Sequence, residues 1–459
     1  MRVLLTIHQF LPDFSAGTEI LTLETARELR RLGHDVAIFT GYPGSRELKD
    51  DQRFDRYSYD GFPVERFHHA YVPMGPVDNV IEAEYNNPFF AAHFRGFLQC
   101  WKPDMVHFFH LQRLSASAIA VCHDLGIPTA LTPTDFWPVC FTNQLRLPDG
   151  RLCEGPDCLG GNCIRHVAAL SPGKAIRQVA ALLPDWAARQ AARLSTCSHL
   201  KNLAPFRHVK ALAGRAAFMV QQLNKIDRVL APTRMMERTL TSFGLQPEKV
   251  IFCSFGIDLK PFQNREKVEG KGPLRIGYIG TLSEPKGVHV LIQAVRALPE
   301  TEPVELKIYG RDKDFPAYAA TIRSSADGDR RIHFCGTFPN NQIGTIFADL
   351  DVLVVPSLWY ENTPLVIYSA HAAGCPVIAT NLGGMAEVVH HGQDGLLFES
   401  GDAGALAELL KQVCHDRKLL RRLTDNVQKP KSIEEYVQEL LCVYIQMTGS
   451  IPAGNSGTA

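Results

Sequence analysis

Val352–Val389 reads VLVVPSLWYENTPLVIYSAHAAGCPVIATNLGGMAEVV, and this stretch predicts a strand–loop–helix–strand unit. Its first four residues form an apolar, mostly β-branched run, which is typical of a strand buried in a parallel sheet. Thr363-Pro364 then opens a helix, because proline suits the first helical position, where no amide donor is needed. We expect the helix to stop at Gly374, the next strand to begin at Pro376, and the Gly383-Gly384 pair to start another turn.

The predicted helix would present an N-terminus with free backbone N–H groups beside the carboxylate of Glu361. Such a helix end attracts phosphate, and a carboxylate accepts hydrogen bonds from neutral hydroxyls. Glu361, Leu365 and Ser369 are spaced to share one helical face. A ligand with phosphates at one end and a polyol at the other would fit this arrangement. The stretch therefore predicts a sugar-nucleotide site.

The composition is that of an ordinary globular protein. A chain of 459 residues should contain two or three domains, and its hydrophobic and charged fractions are 45% and 21%. The formal net charge is +0, so we expect no nucleic-acid partner. The sequence has no apolar run of about 18 residues, and its first residues are too interrupted for a signal peptide. Twelve dispersed cysteines favour a reducing compartment, so we expect a cytoplasmic protein.

Strand and helix patterns alternate along most of the chain and predict two doubly wound α/β domains. The first covers residues 1–257 and lacks the G-x-G-x-x-G fingerprint of dinucleotide binding. Residues 258–273 contain Gly, Pro and charges without periodicity, which is typical of a hinge. The second domain covers 274–431. We expect 41–103 to be irregular and 449–459 to be disordered.

Four segments carry a resemblance to a known family: PDFSAGTEILTLETARELRRLGHDV near the start, GYIGTLSEPKGVHVLIQA, SLWYENTPLVIY and AAGCPVIATNLGGMAEVV. In order and spacing they resemble the retaining GT-B glycosyltransferases, specifically the group 1 (GT4-like) family. The resemblance implies an α/β GT-B fold, with two Rossmann-like doubly wound parallel-sheet domains facing a central cleft. It assigns the acceptor to the first domain and the nucleotide-sugar donor to the second. It also implies that a helix at about 432–448 packs back on the first domain.

Carried over residue by residue, the resemblance implies a set of catalytic and donor-binding positions. Glu361, Lys286, Thr134 and Asp135 stand at the catalytic positions. Lys286 follows the first strand of the second domain, where its ammonium group could balance the charge that develops on a leaving diphosphate. The donor-binding positions are Gly17, Gly280, Thr281, Arg311, Asn362, Thr363, Pro364, Leu365, Ser369, Gly383 and Gly384.

Three polar donor contacts that are usual in the family are altered in this chain. Thr134 stands where many members have a histidine that contacts the donor sugar, and Thr281 stands where an arginine is common. Arg311, at the end of a strand, is the candidate to replace that arginine. Ser369 stands where a glutamate commonly holds the ribose hydroxyls. Losing such a charge-assisted hydrogen bond would weaken nucleotide binding by about 1.5–3 kcal/mol.

The resemblance implies a retaining, metal-independent transfer of a sugar from a UDP-, GDP- or ADP-sugar to a glycan or lipid-linked acceptor, in cell-surface polysaccharide biosynthesis. No cofactor beyond the nucleotide-sugar co-substrate is expected. One alternative is a catalytically impaired GT-B-like accessory protein that binds a nucleotide sugar or glycan. A sugar-nucleotide epimerase of the same architecture matches the WYENTP region less well, and the missing dinucleotide fingerprint disfavours a dehydrogenase.

Two further segments have chemistry of their own. Four thiolates suit a structural zinc, and a Gly-rich stretch carries Cys140, Cys153, Cys158 and Cys163; the alternative is a loop of free or redox-linked thiols. Residues 165–215 contain nine Lys or Arg and one acidic residue. Amphipathic helices here could lie on an anionic membrane at the inner face of the plasma membrane, or could present a solvated basic face and pack on the core.

Two features of the first domain are open to more than one interpretation. His107 and His110 lie at the end of a strand, where α/β sheets place ligands, but histidines at this spacing more often serve packing or hydrogen bonding. Gly17 follows the first strand, where the backbone could approach a ligand closely, and the resemblance implies that this loop faces the donor phosphates and the acceptor. A simple turn glycine fits Gly17 equally well. The second glycine usual in the family is Ala16 here.

Overall fold

The structure is a computed structural model that describes residues 1–157, 159–171, 173–195, 204–263 and 272–449. The chain divides into two compact units, one formed by Met1–Ser254 with the segment from Glu435, and the other by Phe255–Glu434. Cys158, half of the expected hinge (264–271) and the expected tail beyond residue 449 lie outside the described residues.

A mixed sheet forms the centre of the first unit. Its strands are β1 (Arg2–Ile7), β2 (Asp35–Pro43), β3 (Phe54–Tyr59), β4 (Phe62–His69), β5 (Met105–Phe108), β6 (Thr129–Leu131), β7 (Arg228–Ala231) and β8 (Val250–Phe252). Their order in the sheet is β3-β4-β2-β1-β5-β6-β7-β8. Every neighbouring pair is parallel except β3 and β4, which form an antiparallel hairpin at one edge.

Helices connect these strands. They are α1 (Gly17–Arg31), α2 (Glu82–Tyr85), α3 (Pro88–Trp101), α4 (Ser117–Asp124), α5 (Gly161–Ala169), α6 (Lys174–Leu182), α7 (Asp185–Ser195), α8 (Ala204–Leu223) and α9 (Arg234–Phe243). Within the described ranges, no helix of the protein is long and apolar enough to cross a membrane.

The second unit has a fully parallel sheet. Its strands are β9 (Leu274–Ile279), β10 (Val304–Tyr309), β11 (Ile332–Gly336), β12 (Val352–Val355), β13 (Val377–Thr380) and β14 (Gly395–Phe398), in the order β11-β10-β9-β12-β13-β14. Its helices are α10 (Val288–Ala297), α11 (Pro316–Ala326), α12 (Ile343–Ala348), α13 (Leu365–Ala372), α14 (Gly383–Val388), α15 (Ala403–His415) and α16 (Arg417–Asn426).

β12 is buried on both faces of this sheet, as its apolar run predicted. Val352 and Val354 pack into one hydrophobic cluster, whereas Leu353 and Val355 pack into another. Successive side chains of a strand point to opposite faces, so an uninterrupted apolar run is needed where both faces are covered.

The last helix, α17 (Ile433–Thr448), begins as the chain leaves the second unit. From Glu435 onward it belongs to the first unit, where the hydroxyl of Tyr444 hydrogen-bonds Nδ1 of His107 on β5. Tyr444 is fully buried there, so the contact anchors α17 in the core of the first unit.

The expectation that residues 41–103 are irregular is wrong, because β3, β4, α2 and α3 lie in this range. α3 begins after Asn87, whose side chain accepts a hydrogen bond from the N–H of Phe90, and Pro88 takes the first helical position. This Asn-Pro pair is a helix-start signal that composition alone obscured. The β3–β4 hairpin depends instead on pairing at the sheet edge, which a local pattern does not report.

α13 begins at Leu365, whereas the sequence predicted a start at Thr363-Pro364. Pro364 is the N-cap, with an extended backbone (φ −60°, ψ 126°), and Thr363 has a left-handed φ of 33°. Glu361 therefore lies in the loop before the helix. The prediction that it shares a helical face with Leu365 and Ser369 is wrong for Glu361 and holds only for the other two, which lie one turn apart on α13.

Candidate functional site

The donor-site candidates of the second unit lie at the carboxyl ends of its parallel strands. The loop after β9 carries Gly280 and Thr281, the loop after β10 carries Arg311, and the loop after β12 carries Glu361–Pro364. β10, β9 and β12 are neighbours in the sheet. Because parallel strands end at one edge, the three loops share the edge at which doubly wound sheets bind ligands.

One carboxylate oxygen of Glu361 collects three hydrogen-bond donors. Its Oε1 accepts from Lys286 Nζ at 2.6 Å, from Ser357 Oγ at 2.7 Å and from Trp359 Nε1 at 2.9 Å. The Lys286 ammonium also lies 5.5 Å from the centroid of the Trp359 ring. Oε2 of Glu361 has no hydrogen-bond partner among the residues described and is not sealed from solvent. A carboxylate so arranged can accept hydrogen bonds from neutral hydroxyls through Oε2.

The sequence singled out Glu361 and Lys286, and the structure brings them together. The sequence did not single out Ser357 or Trp359, although both lie within four residues of Glu361 in a loop that follows a buried strand. Polar side chains at such a strand end were the signal that could have identified them.

The position of Lys286 depends on the glycine that follows it. Gly287 has a φ of +69°, and a Cβ at this residue would lie 1.9 Å from the carbonyl oxygen of Pro356. Only a glycine therefore lets the short 3-10 turn Glu284–Lys286 lie against the loop after β12. This close approach places the Lys286 ammonium at Glu361.

The loop after β12 is held to the start of α14, whose first residue is Gly383. Thr363 adopts a φ of 33°, which residues other than glycine rarely do. Its Oγ1 donates to the Gly384 carbonyl at 3.4 Å, and the N–H of Gly384 donates to the carbonyl of Glu361 at 2.8 Å. Pro364 caps α13 without a side-chain hydrogen bond, so the N–H groups of the first turn remain suited to an anionic group.

The Ser369 hydroxyl is committed to its own helix. It donates to the carbonyl of Leu365, the first residue of α13, at 3.1 Å, and Ser369 is buried. A hydroxyl bonded back in this way can still accept a hydrogen bond but does not donate one outward. Asn362 is likewise buried, in the loop before α13.

The loops after β9 and β10 touch at the level of the backbone. A Cβ on Gly310 would lie 2.4 Å from the carbonyl oxygen of Gly280. Arg311 thus lies directly after this contact, beside Gly280 and Thr281. Its guanidinium is 3.9 Å from the carboxylate of Asp314, and both side chains are partly exposed. That Arg311 replaces the arginine missing at Thr281 stays a prediction.

The first unit holds a separate group of candidates at the carboxyl edge of its own sheet. Gly17 is the first residue of α1, which has no side-chain cap. Thr134 Oγ1 donates to the carbonyl of Phe109 at 3.1 Å, so its proton is used inside the protein. Thr134 nevertheless lines a pocket with Asp135 and His110.

Asp135 acts as a hydrogen-bond acceptor for three neighbours. Its Oδ2 lies 2.8 Å from His110 Nε2 and 3.1 Å from Asn143 Nδ2, and its Oδ1 accepts from the N–H of Trp137 at 2.8 Å. Nδ1 of His110 accepts from the N–H of Gln112 at 3.0 Å, which requires the tautomer that donates from Nε2 to Asp135. Asp135 therefore orients His110.

Sequence reasoning missed a buried pair beside His110. The His8 ring lies 4.2 Å from the His110 ring, centroid to centroid, and His8 Nε2 lies 3.8 Å from Oε1 of the fully buried Glu19. Burial raises the pKa of the Glu19 carboxyl; burial also lowers the pKa of His8, helped by His110 and Arg113. Both shifts favour the uncharged forms. The signal was the histidine directly after the first strand.

His107 is a packing residue, and that interpretation is confirmed. Its Nε2 lies 2.8 Å from Thr132 Oγ1 and its Nδ1 hydrogen-bonds the Tyr444 hydroxyl, so neither ring nitrogen is left for a ligand. Burial lowers the pKa of His107 to about 3.

Three of the four cysteines considered for zinc share one small cavity. Cys140, Cys153 and Cys163 line it together with His166. Burial raises the pKa of Cys163 to about 12, and the nearby Cys140 and Cys153 act in the same direction. In the described part of the chain, no three or more His, Cys, Asp or Glu side chains are arranged to hold a metal ion, and Cys158 lies outside that part. The zinc site stays a prediction.

The sequence matches two family models that together cover well over half of its length. Residues 260–430 match the family described as "Glycosyl transferases group 1", and residues 16–200 match the "Glycosyl transferase 4-like domain". The chain therefore belongs to the group 1 family of GT-B glycosyltransferases, as the resemblance of its motifs implied.

Curated relatives align with part of the chain. AmsK of Erwinia amylovora, an amylovoran biosynthesis glycosyltransferase, is 29% identical over 190 residues, which are 40% of this chain and 46% of AmsK. WcaL of Salmonella typhimurium, named a putative colanic acid biosynthesis glycosyltransferase, is 28% identical over 198 residues, 42% of this chain and 48% of WcaL. The chain thus spans about half the length of these relatives.

Solved structures resemble the whole chain. HepE of Anabaena, in complex with UDP and glucose, has a TM-score of 0.61 at 16% identity, over 96% of this chain and 98% of HepE. The sucrose-phosphate synthase of Thermosynechococcus elongatus has a TM-score of 0.65 at 17% identity, over 98% and 99%. At these identities the likeness establishes the fold, and the GT-B prediction is confirmed.

Proposed function

We propose that this chain is a retaining glycosyltransferase that moves a sugar from a nucleotide sugar to a glycan or lipid-linked acceptor in cell-surface polysaccharide biosynthesis. The observation that carries the proposal is the Glu361–Lys286 pair at the carboxyl edge of the second sheet, beside the uncapped N-terminus of α13. The pair offers a cation for phosphate and a carboxylate oxygen for hydroxyls a few ångströms apart, which are the two needs of a nucleotide sugar.

In this proposal the second unit binds the donor. The Lys286 ammonium has three donors, so it can contact the diphosphate while it keeps its bond to Glu361 Oε1. The N–H groups at Leu365 and Val366 would bind a phosphate oxygen, with Arg311 as a further cation. Glu361 Oε2 would accept hydrogen bonds from the sugar hydroxyls. The first unit, with Gly17, Thr134 and Asp135, would hold the acceptor.

The reaction requires no nucleophile from the protein. The acceptor oxygen forms a bond to the anomeric carbon on the face from which the nucleoside diphosphate leaves, while the bond from that carbon to the phosphate oxygen breaks. The acceptor proton passes to that leaving phosphate oxygen, so charge and atoms balance. The contribution of the chain is to position the reactants and to stabilise the charge on the diphosphate, a role that Lys286 fills without a metal ion.

Names of relatives support the choice of substrates. AmsK and WcaL are named for the biosynthesis of the polysaccharides amylovoran and colanic acid, and HepE was solved with UDP and glucose. We therefore rank UDP-sugars first, ahead of GDP- and ADP-sugars. We also propose that the enzyme works in the cytoplasm, because its cysteines are dispersed and none of the described ones is in a disulfide.

Calorimetric titration with UDP, GDP, ADP and CDP tests the donor site. We expect one nucleotide to bind with micromolar affinity and Lys286→Met to weaken it by about 10- to 100-fold, because a charge-assisted contact to the diphosphate is lost. Lys313→Met, which removes an exposed lysine near the same sheet edge, is the matched control. No binding by any of the four nucleotides would contradict the proposal.

The catalytic part needs a second measurement. Incubation with the matching nucleotide sugar should release nucleotide slowly to water and faster with acceptor, and NMR should show that the anomeric configuration of the transferred sugar is retained. Addition of EDTA should leave the rate unchanged. An inverted product would contradict the retaining mechanism.

A second candidate function is an accessory protein that binds a nucleotide sugar without turnover. The specific observation in its favour is that the hydroxyls of Ser369 and Thr134 both donate to backbone carbonyls, so neither is free to donate to a donor sugar. Ser369→Glu distinguishes the two. Tighter nucleotide binding with no turnover would favour the accessory protein, whereas turnover in the wild-type chain would exclude it.

A further inference from the structure

Exposed apolar side chains concentrate in one short part of the first unit. Six large hydrophobic side chains between residues 170 and 194 are about half exposed or more: Leu170, Ile176, Val179, Leu182, Trp186 and Leu194. Leu182 is 84% exposed and Trp186 65%. Elsewhere in the described ranges only three comparable side chains are exposed, Tyr71, Phe252 and Phe315, and they are far apart in sequence. Apolar exposure that is concentrated in this way indicates an interaction surface.

The helices present these side chains on their outward faces. In α7, Ala188 and Ala192 are buried, whereas Trp186 and Leu194 are each two residues away and hence on the opposite side of the helix. In α6, Ile176, Val179 and Leu182 recur every three residues and form one stripe. We call these outward sides of α6 and α7 the α6–α7 face.

The charge around the α6–α7 face is mostly positive. Lys174, Arg177 and Arg193 are exposed beside the apolar side chains. Arg189 lies 3.3 Å from Asp157, so its charge is balanced. From residue 158 to residue 226 the sequence contains a single acidic residue, Asp185. The face therefore combines apolar side chains with an excess of positive charge.

We propose that the α6–α7 face docks on the surface of an anionic lipid bilayer, with Leu182 and Trp186 inserted at the level of the headgroups and Lys174, Arg177 and Arg193 at the lipid phosphates. An apolar stripe flanked by lysine and arginine is the pattern of a helix that lies in the interface. A second copy of the chain is a poorer occupant, because two such faces would bring like charges together. A nucleic acid would match the charge but leave the apolar side chains in water.

The inference deepens the lipid-linked part of the proposed function, since a surface-bound enzyme meets an acceptor held in the membrane. Only this biological role of membrane binding, access to a lipid-linked acceptor, rests on the proposed function. The face would bind vesicles whether or not sugar is transferred, and nucleotide binding can be measured without vesicles. The two proposals can therefore fail independently.

Vesicle sedimentation with the full chain tests the proposal. The wild type should sediment with vesicles of phosphatidylcholine and phosphatidylglycerol, less with phosphatidylcholine alone, and progressively less as salt screens the charges. Leu182→Glu should lower the partition coefficient by at least about tenfold, because it removes an inserted side chain and adds a repelled charge. Phe315→Glu makes the same change at an exposed apolar side chain of the other unit and should leave binding unchanged.

Charge is tested separately with the triple variant Lys174→Gln/Arg177→Gln/Arg193→Gln. Each basic residue near an anionic surface contributes about fivefold, so the triple should lower the partition coefficient on the order of 100-fold. The matched control is Lys313→Gln/Lys411→Gln/Lys418→Gln, whose lysines are exposed in the second unit. Slow donor hydrolysis in solution should be the same in all four variants.

Three outcomes would overturn the proposal. The wild type could fail to sediment with anionic vesicles. The control variants could lose vesicle binding as fully as the variants of the α6–α7 face, which would show that binding does not depend on this face. Finally, the wild type could self-associate without vesicles in a way that Leu182→Glu abolishes, which would make a second copy the occupant of the face.

Discussion

Replacing Glu361 with glutamine should separate nucleotide binding from sugar transfer. Lys286 is paired with Glu361 Oε1 at 2.6 Å, so the ammonium must share its charge between the carboxylate and an incoming diphosphate. A glutamine with its amide oxygen at the Oε1 position still accepts from Ser357 and Trp359. It removes the charge, and it replaces the acceptor Oε2 by an NH2 group that only donates. Lys286 is then left with its full charge for the phosphates.

The size of the effect follows from the exposure of the pair. A hydrogen bond between charged groups contributes about 1.5–3 kcal/mol when buried. The Lys286 side chain is 27% exposed and that of Glu361 8%, so solvent screens part of this and about 1 kcal/mol is the appropriate figure. Glu361→Gln should therefore bind the nucleoside diphosphate roughly fivefold more tightly. Transfer should fall by about 10- to 100-fold in kcat/KM, because the amide NH2 at the Oε2 position cannot accept hydrogen bonds from the sugar hydroxyls.

Calorimetry with the nucleotide and initial rates with the nucleotide sugar measure the two effects. Glu300→Gln, an exposed glutamate of the second unit, is the matched control and should change neither. Lys286→Met should weaken both binding and transfer. A loss of nucleotide affinity in Glu361→Gln as large as that in Lys286→Met would contradict this prediction, since Glu361 would then be needed to hold the lysine in place.

The remaining predictions concern the supporting structure. Gly287→Ala should lower the stability of the second unit by about 1–3 kcal/mol and weaken nucleotide binding, because its Cβ would lie 1.9 Å from the Pro356 carbonyl oxygen. The control is Gly392→Ala, at a residue with a φ of +77° and open space around it. This variant should lower the stability in a thermal melt but leave nucleotide binding unchanged. Because burial lowers the pKa of His107 from 6.5 to about 3, the unfolded chain binds a proton that the folded chain does not between these pH values. As the pH is lowered across that window, this group should reduce the free energy of unfolding by up to about 1.4 kcal/mol per pH unit. His107→Gln should make this decrease smaller in denaturant titrations. Elemental analysis should find about one zinc per chain that Cys163→Ser removes; a metal-free wild type with an unchanged melting temperature in chelator would instead indicate a loop of thiols.

The position of Glu361 shows where local pattern suffices and where it fails. The buried strand β12, the loop and the following helix were all predicted from the apolar run, the proline and the glycine. The exact start of α13 was not, because Thr363 adopts a left-handed φ that its contact with Gly384 stabilises, and no pattern of hydrophobicity reports such a contact. Helix boundaries depend on such details of the cap.

The prediction that residues 41–103 are irregular failed for a different reason. The edge hairpin of β3 and β4 is stabilised by pairing with β2, and its residues alternate too weakly between buried and exposed to predict strands by themselves. β propensity depends on the neighbours across the sheet rather than on the segment alone. A single sequence contains no direct record of which strand lies beside which.

The amino-acid sequence by itself determined the alternation of strands and helices, the burial of β12 on both faces, and the presence of Lys286 and Glu361 at strand ends. These properties are local, since each depends on a periodicity or on a residue type within one element. Tertiary structure alone decided that Lys286 reaches Glu361 across 75 residues and that His110 pairs with Asp135 across 25. Tertiary structure also decided that the Ser369 hydroxyl donates to a carbonyl of its own helix and that six apolar side chains in and near α6 and α7 face solvent. Such contacts arise only when elements pack, because the side chains involved are brought together by the sheet order and by close approaches such as that of Gly287.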